Sequence, residues 1–312
     1  MEHRKLGSLE VSLVGLGCNN FGMRIGADEA RTVVDAAIDA GVNFFDTADV
    51  YGGTKSEQML GAAVKGRRDL VVIATKFRAQ IGDDASHSGA SARWITQALE
   101  GSLRRLGTDY IDLYQQHGPD DDVAIEETLE ALDALVRSGK VREIGCSNFS
   151  VPQLDEAEAV SSANGLARFA SVQNQLSLLH RDPLKDVLPW CEQKGVGFLP
   201  YFPLASGLLT GKYRRDEPPA AGTRLSMLPA ERASRVLSED NFAAVDRLST
   251  YAADHGHTLL DLAMAWLAAL PAVSSIIAGA TKPEQVAANV AAAEWTLTAE
   301  QRDEVTKLVS TT

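Results

Sequence analysis

Four residues in this sequence stand just past apolar runs, and their types could together move a proton. Asp46 closes the run 43–47 and Tyr51 lies in the loop after it. Lys76 follows the run 70–75, and His117 follows the run 110–116. A lysine at a buried strand end needs a counter-charge, and Asp46 can supply one. An ammonium beside a phenol favours phenolate, so Tyr51 is expected to titrate below the ordinary tyrosine range. A tyrosine so tuned could donate a proton near neutral pH and take it back in reverse. His117 could hydrogen-bond a substrate oxygen and orient it. The set suits protonating a carbonyl oxygen while a hydride reaches its carbon, and that hydride must come from a cofactor because no side chain supplies one. Lys76 is also a carbon nucleophile, so a Schiff-base aldolase is a second reading. Each residue also has a plain structural use: an ion pair, a packing ring, a loop cap. Their recurrence at successive strand ends favours the chemical reading.

Something must hold these residues at one place. A hairpin is expected at the start, turning at Gly7-Ser8. Eight apolar runs follow, at 13–17, 43–47, 70–75, 110–116, 141–147, 171–175, 197–203 and 275–279. They are continuous rather than alternating, as parallel strands covered on both faces should be. Helical segments fall between them, at 29–40, 92–106, 125–138, 183–194, 242–254, 259–269, 283–293 and 299–309, with a further helix opening near Pro152. Gly41, Gly107 and Gly139 read as stops, and Asp28 and Ser91 as N-caps. Eight such units without a composition break predict one α/β domain over 1–312, a (β/α)8 TIM barrel with an N-terminal β-hairpin and extra helices. A doubly wound sheet would want a glycine-rich turn after its first strand, and the glycines of 15–22 have the wrong spacing. In a barrel the C-terminal strand ends face the active site. Two long loops, 78–89 and 205–237, would lie on that face.

Composition narrows the partners. The chain has 312 residues, a net charge of -12 and 45% hydrophobic residues. That balance argues against nucleic acid. Cys18, Cys146 and Cys191 form no CxxC pair, which argues against a disulfide scaffold or a zinc ribbon and leaves no metal site in view. The most apolar late stretch is broken by Asp261 and Pro271, so no membrane span is expected. The N-terminus has no signal-like apolar core, and a cytoplasmic protein is the expectation. Oligomeric state is left open.

The motifs Asp46-Thr-Ala-Asp-Val-Tyr51-Gly52, Ser56–Gly61, Ala74-Thr-Lys76, Asp112–His117, Gly139–Phe149 and Gln173-Asn174, in this order, resemble the aldo-keto reductase superfamily across essentially the whole chain. The later stretches 201–204, 207–212 and 279–285 resemble its bacterial branch, related to potassium-channel β-subunits. The resemblance implies a catalytic tetrad of Asp46, Tyr51, Lys76 and His117, with Tyr51 as the general acid. It implies NADP(H) as cofactor and a small-molecule aldehyde or ketone as substrate. Ser147, Asn148 and Gln173 would hold the carboxamide, and Tyr201 would stack on the nicotinamide. Ser206, Leu208 and Lys212 would contact the pyrophosphate, and Phe202, Pro203 and Leu204 would also bind the cofactor. Gly279, Thr281, Lys282, Gln285 and Asn289 would bind the adenosine end, with Lys282 beside a helix N-terminus suited to a 2′-phosphate. Ala288 stands where the family often has Glu. Asn20, Phe21, Phe77, Arg78, Gly118 and Phe202 are expected to form the substrate pocket. An alternative implied by the same branch is an NADP(H)-binding regulatory subunit with slow turnover.

Overall fold

Strand side chains alternate between two faces, and in this chain the alternation sorts the core into two parts. The computed structural model describes residues 1–309. Its strands are β1 (His3–Leu6), β2 (Leu9–Ser12), β3 (Val14–Gly17), β4 (Phe44–Asp46), β5 (Val72–Phe77), β6 (Ile111–Gln116), β7 (Val141–Ser147), β8 (Phe169–Gln173), β9 (Gly197–Phe198) and β10 (Ile276–Gly279). The first two pair as an antiparallel hairpin. The other eight form one parallel sheet in the order β10-β3-β4-β5-β6-β7-β8-β9. Bridges between Phe198 and Val273 and between Tyr201 and Ile277 join its two edges, so the sheet closes into a (β/α)8 barrel.

Inside the barrel, Phe44, Ala74, Leu113, Leu199 and Ile277 pack against Leu6, Leu9 and Val11 of the hairpin. The hairpin therefore plugs the N-terminal mouth with apolar surface. Two residues further along the same inward rows stand Asp46, Lys76, Gln115 and Gln173, all buried and all polar. The outward rows, including Phe45, Ile73, Phe77, Tyr114, Val172 and Phe198, belong to the larger core shared with the helices.

Those helices form for reasons visible in their ends. Ser91 accepts a hydrogen bond from the Trp94 amide at the start of Ala92–Leu106, and Gly107 ends that helix at φ 65°. Ile125–Arg137 buries Leu129, Leu132 and Leu135 as one stripe. Pro152 sits in the first turn of Val151–Asn164, where its missing N–H costs nothing. The first helix departs from expectation: it spans Ala27–Asp39 and is capped at Gly26, whose amide donates to Glu29. The seventh barrel strand is also shorter than 197–203. Only Gly197–Phe198 is regular, because Pro200 and Pro203 lack the donors a ladder needs. The sixth apolar run, expected at 171–175, begins and ends two residues earlier, at Phe169–Gln173. The long loop 205–237 contains an unanticipated helix, Ala230–Val236. No helix among the described residues is long and apolar enough to cross a membrane.

Candidate active site

The polar row at the C-terminal mouth is a hydrogen-bonded cluster. Lys76 Nζ donates to Asp46 Oδ2 at 2.6 Å and to the Thr47 carbonyl at 2.8 Å. The other Asp46 oxygen accepts from Gln173 at 2.9 Å and from Gln115 at 3.2 Å. Asp46 is thus a fully engaged buried carboxylate, and Lys76 lies 5.2 Å from the centre of the Tyr51 ring. The Tyr51 hydroxyl stands 3.5 Å from His117 Nε2, with the two rings edge to face. All four expected residues therefore converge, although two strands and two loops supply them.

Burial sets their protonation. It pushes the Tyr51 phenol above its ordinary value, more than Lys76 pulls it down, and Asp46 adds to the rise. The expected lowering is not met, because the sealed environment outweighs the cation and the cation's own field is offset by Asp46. Burial also opposes the Lys76 ammonium, but Asp46 and Tyr51 together hold it above the ordinary lysine range. His117 falls to about 3, through burial first and then the charges of Lys76 and Arg78. At neutral pH the cluster therefore presents a protonated phenol and an uncharged imidazole, with a charged ion pair beneath them.

Next to this cluster lies an amide-rich wall. Asn148 Nδ2 donates to the His117 carbonyl and to Ser147 Oγ, both at 3.1 Å. Its Oδ1 accepts from the Tyr201 hydroxyl at 2.8 Å. Ser147 Oγ donates to the Gln173 carbonyl at 2.7 Å. Asn148 is held at φ 62° while its amide donates to Asn174 Oδ1, so the backbone strain is secured by a neighbour. A cavity of about 470 Å³ opens over these groups, bordered by Tyr51, His117, Asn148, Gln173 and Tyr201.

A second cleft of about 280 Å³ continues from it, sharing Phe202, Pro203, Arg224 and Gly279. Leu204, Ser206, Lys212, Thr281, Gln285 and Asn289 border this extension, as does Asn20. Three consecutive residues there, Ala205, Ser206 and Gly207, have φ of 45°, 58° and 93°. Non-glycine residues adopt such angles at a cost, and they cluster where a loop must hold one shape. Arg24, Lys212 and Arg224 all border the extension. None of the three is in an ion pair among the described residues.

The remaining expected residues fall elsewhere. Leu208 is buried beneath the loop, and Lys282 is exposed at the start of the helix Pro283–Ala292, outside the lining. Of the expected substrate pocket only Phe202 borders the main cavity. Phe21 and Phe77 are fully buried in the outer core, and Phe77 packs on Tyr114 at 4.8 Å between ring centres. Alternation explains Phe77: with Lys76 facing the axis, its neighbour must face the helices. Gly118 is buried and Arg78 borders a separate groove. The cavity is instead edged by Asn19, Met23, Val50 and Arg224. Gln115 was also missed as a partner of Asp46. Its signal was its strand register opposite Lys76.

A family model for the aldo/keto reductase family matches residues 13–310. The chain belongs to that family. Among curated relatives, it is 34% identical over 311 residues to the aldo-keto reductase YhdN of Bacillus subtilis (strain 168), covering 97% of this chain and 92% of the relative. It is 37% identical over 310 residues to the uncharacterized oxidoreductase YrpG of the same organism, covering 95% and 92%. It is also 36% identical over 299 residues to a probable voltage-gated potassium channel subunit beta of Oryza sativa subsp. japonica, covering 94% and 91%. Family membership and the oxidoreductases among these relatives make this aldo/keto reductase an oxidoreductase.

Proposed function

We propose that the protein reduces aldehydes or ketones to alcohols with NADP(H), with Tyr51 as the general acid. The observation that carries this reading is the meeting of a protonated phenol, an uncharged imidazole and an amide-rich wall in one cavity. When bound, the reduced nicotinamide supplies the hydride. The residues present fit such a cofactor. Asn148, Gln173 and Ser147 offer donors and acceptors that match a carboxamide, and Tyr201 borders the same cavity as a flat ring. Arg24, Lys212 and Arg224 give the adjoining cleft local positive charge in a chain of net charge -12, as an anionic diphosphate requires. Gly279, Thr281, Gln285 and Asn289 border its far end, where an adenosine would lie. Lys282, beside a helix N-terminus, favours a 2′-phosphate and hence NADP(H) over NAD(H).

In this reading His117 donates one hydrogen bond to the substrate oxygen without adding charge. Tyr51 then gives its proton to that oxygen. Lys76 steadies the phenolate that remains, and Asp46 holds Lys76 in place. Because Asp46 keeps Lys76 charged, the lysine is a poor amine nucleophile, which disfavours the aldolase reading. The channel-subunit relatives support a second reading, an NADP(H)-binding subunit with slow turnover. Tyr51→Phe separates the two. Reductase activity on a panel of aldehydes should fall by about 10²–10⁴-fold while NADPH binding, followed by protein fluorescence, stays near wild type. Wild-type rates in that variant would remove Tyr51 from the mechanism. Negligible turnover by the wild type itself, with tight NADPH binding, would favour the second reading.

A further inference from the structure

A second carboxyl group lies behind the site and has no role in the steps above. Asp49 sits between Asp46 and Tyr51 in the turn that carries the phenol. Its backbone amide donates to the Lys76 carbonyl at 3.2 Å, and the Tyr51 amide donates to the Ala48 carbonyl at 3.2 Å. Its side chain is fully buried, and neither carboxyl oxygen has a hydrogen-bond partner among the described residues. That is an expensive arrangement for a charged group and a tolerable one for a neutral acid.

The charged groups around it explain why no cation is free for it. From the helix Lys55–Ala63 comes Glu57, also fully buried. Glu57 accepts from Thr75 Oγ1 at 2.6 Å and from Arg105 Nε at 2.6 Å. Arg105, from the helix Ala92–Leu106, is therefore already engaged. Lys76, from β5, is taken by Asp46 and the Thr47 carbonyl. Tyr114, from β6, adds only a neutral phenol, itself pushed up by burial and by Asp49 and Glu57. Two buried carboxyls thus face one guanidinium, and only Glu57 is bonded to it.

We propose that Asp49 is a positioning residue that works as a neutral carboxylic acid, and that ionising it loosens the turn holding Tyr51 against Lys76 and His117. The electrostatics agree. Burial and then Glu57 raise the Asp49 pKa to about 8, against Arg105, the Val50 amide and Lys76, which lower it. The Val50 amide acts here without meeting hydrogen-bond geometry. For the sign, a carboxyl whose folded pKa is raised binds its proton more tightly when folded. It therefore costs stability progressively as pH climbs from the ordinary aspartate range to about 8, and no further above that.

The test is Asp49→Asn, which keeps the shape and removes the titration. Its activity readout rests on the reductase reading; its stability readout does not. In the wild type, kcat/KM for an aldehyde with NADPH should fall about tenfold between pH 7 and 9, as one group near 8 ionises. The Asn variant should change by less than about twofold over that range. The melting temperature of the variant relative to wild type should rise from pH 5 to pH 8 and then level. An alkaline limb unchanged in the variant, with a constant melting difference, overturns the proposal. No turnover in either protein, with the melting trend present, sinks the reductase reading and leaves Asp49 standing. If the variant does not fold, the wild type decides by infrared spectroscopy with labelled aspartate. A protonated carboxyl band at pH 6.5 that disappears by pH 10 supports the proposal, and its absence at pH 6.5 overturns it.

Discussion

Replacing Lys76 by Met should unfold this protein more easily than any comparable change on its surface. The Lys76–Asp46 pair is sealed, with side-chain exposures of 0% and 4%. Met fills similar volume but withdraws the cation and, among the described residues, the only side-chain donor to Asp46 Oδ2. Asp46 Oδ1 keeps Gln115 and Gln173, so the carboxylate is left half-satisfied in the barrel interior. Stranding one member of a buried pair costs about 3–5 kcal/mol. At about 2 °C per kcal/mol for a domain of this size, the melting temperature should drop by roughly 6–10 °C. Asp46→Asn combined with Lys76→Met removes both charges, so it should recover a substantial part of that loss. Scanning calorimetry at neutral pH compares the three proteins. The sign with pH also follows: the Lys76 pKa is raised by its partners, so the pair's contribution is present at neutral pH and is lost only as pH climbs through the raised value. A Lys76→Met protein that melts within about 1 °C of wild type would show that Asp46 does not depend on Lys76, and the account of the buried cluster would collapse with it.

Two further variants probe other parts of the argument. His117 is depressed to about 3 from 6.5, so the folded protein resists protonating it, and stability should fall as pH drops through that interval. His117→Gln should flatten this acid dependence in thermal scans between pH 6 and 4; an identical slope in both proteins would contradict a buried neutral imidazole. At Gly61 an added Cβ would lie 2.3 Å from the Leu106 carbonyl oxygen, a backbone atom that cannot swing aside. Gly61→Ala should therefore destabilise by at least about 1–3 kcal/mol. Urea denaturation measures it, and a loss below about 0.5 kcal/mol would mean the two helices separate without cost.

The sequence made the barrel legible because its parallel strands are continuous apolar runs punctuated by caps and glycine stops. The convergence of Asp46, Lys76 and His117 was legible for the same reason: a residue at a strand's C-terminal end has one place to go. What escaped was whatever depended on facing direction or distant loops. Phe77, expected in the pocket, directly follows Lys76, and neighbours on a strand face opposite ways, so it packs in the outer core. Arg224 enters both clefts from the middle of a long loop with no periodicity to mark it. The protonation of Tyr51 was misjudged because a charge partner can be guessed from sequence, whereas the depth of burial cannot.

The barrel's joint has a consequence for how ligand and fold depend on each other. Seven neighbouring pairs in the sheet are parallel ladders, one with a register shift at Ile144–Gly145, but the segments carrying β9 and β10 meet only through the Phe198–Val273 and Tyr201–Ile277 bridges and a few backbone bonds around Phe198, Pro200 and Ala272 among the described residues. Tyr201 on one side of this joint and Gly279 on the other both border the main cavity. A molecule lying there spans the thinnest stitch in the wall and fastens it from inside. The free protein should then part first at this point, so that amide exchange is fastest near residues 197–203 and 273–279. Occupancy would slow it there before anywhere else, and the ligand would serve as a rivet in the wall that encloses it.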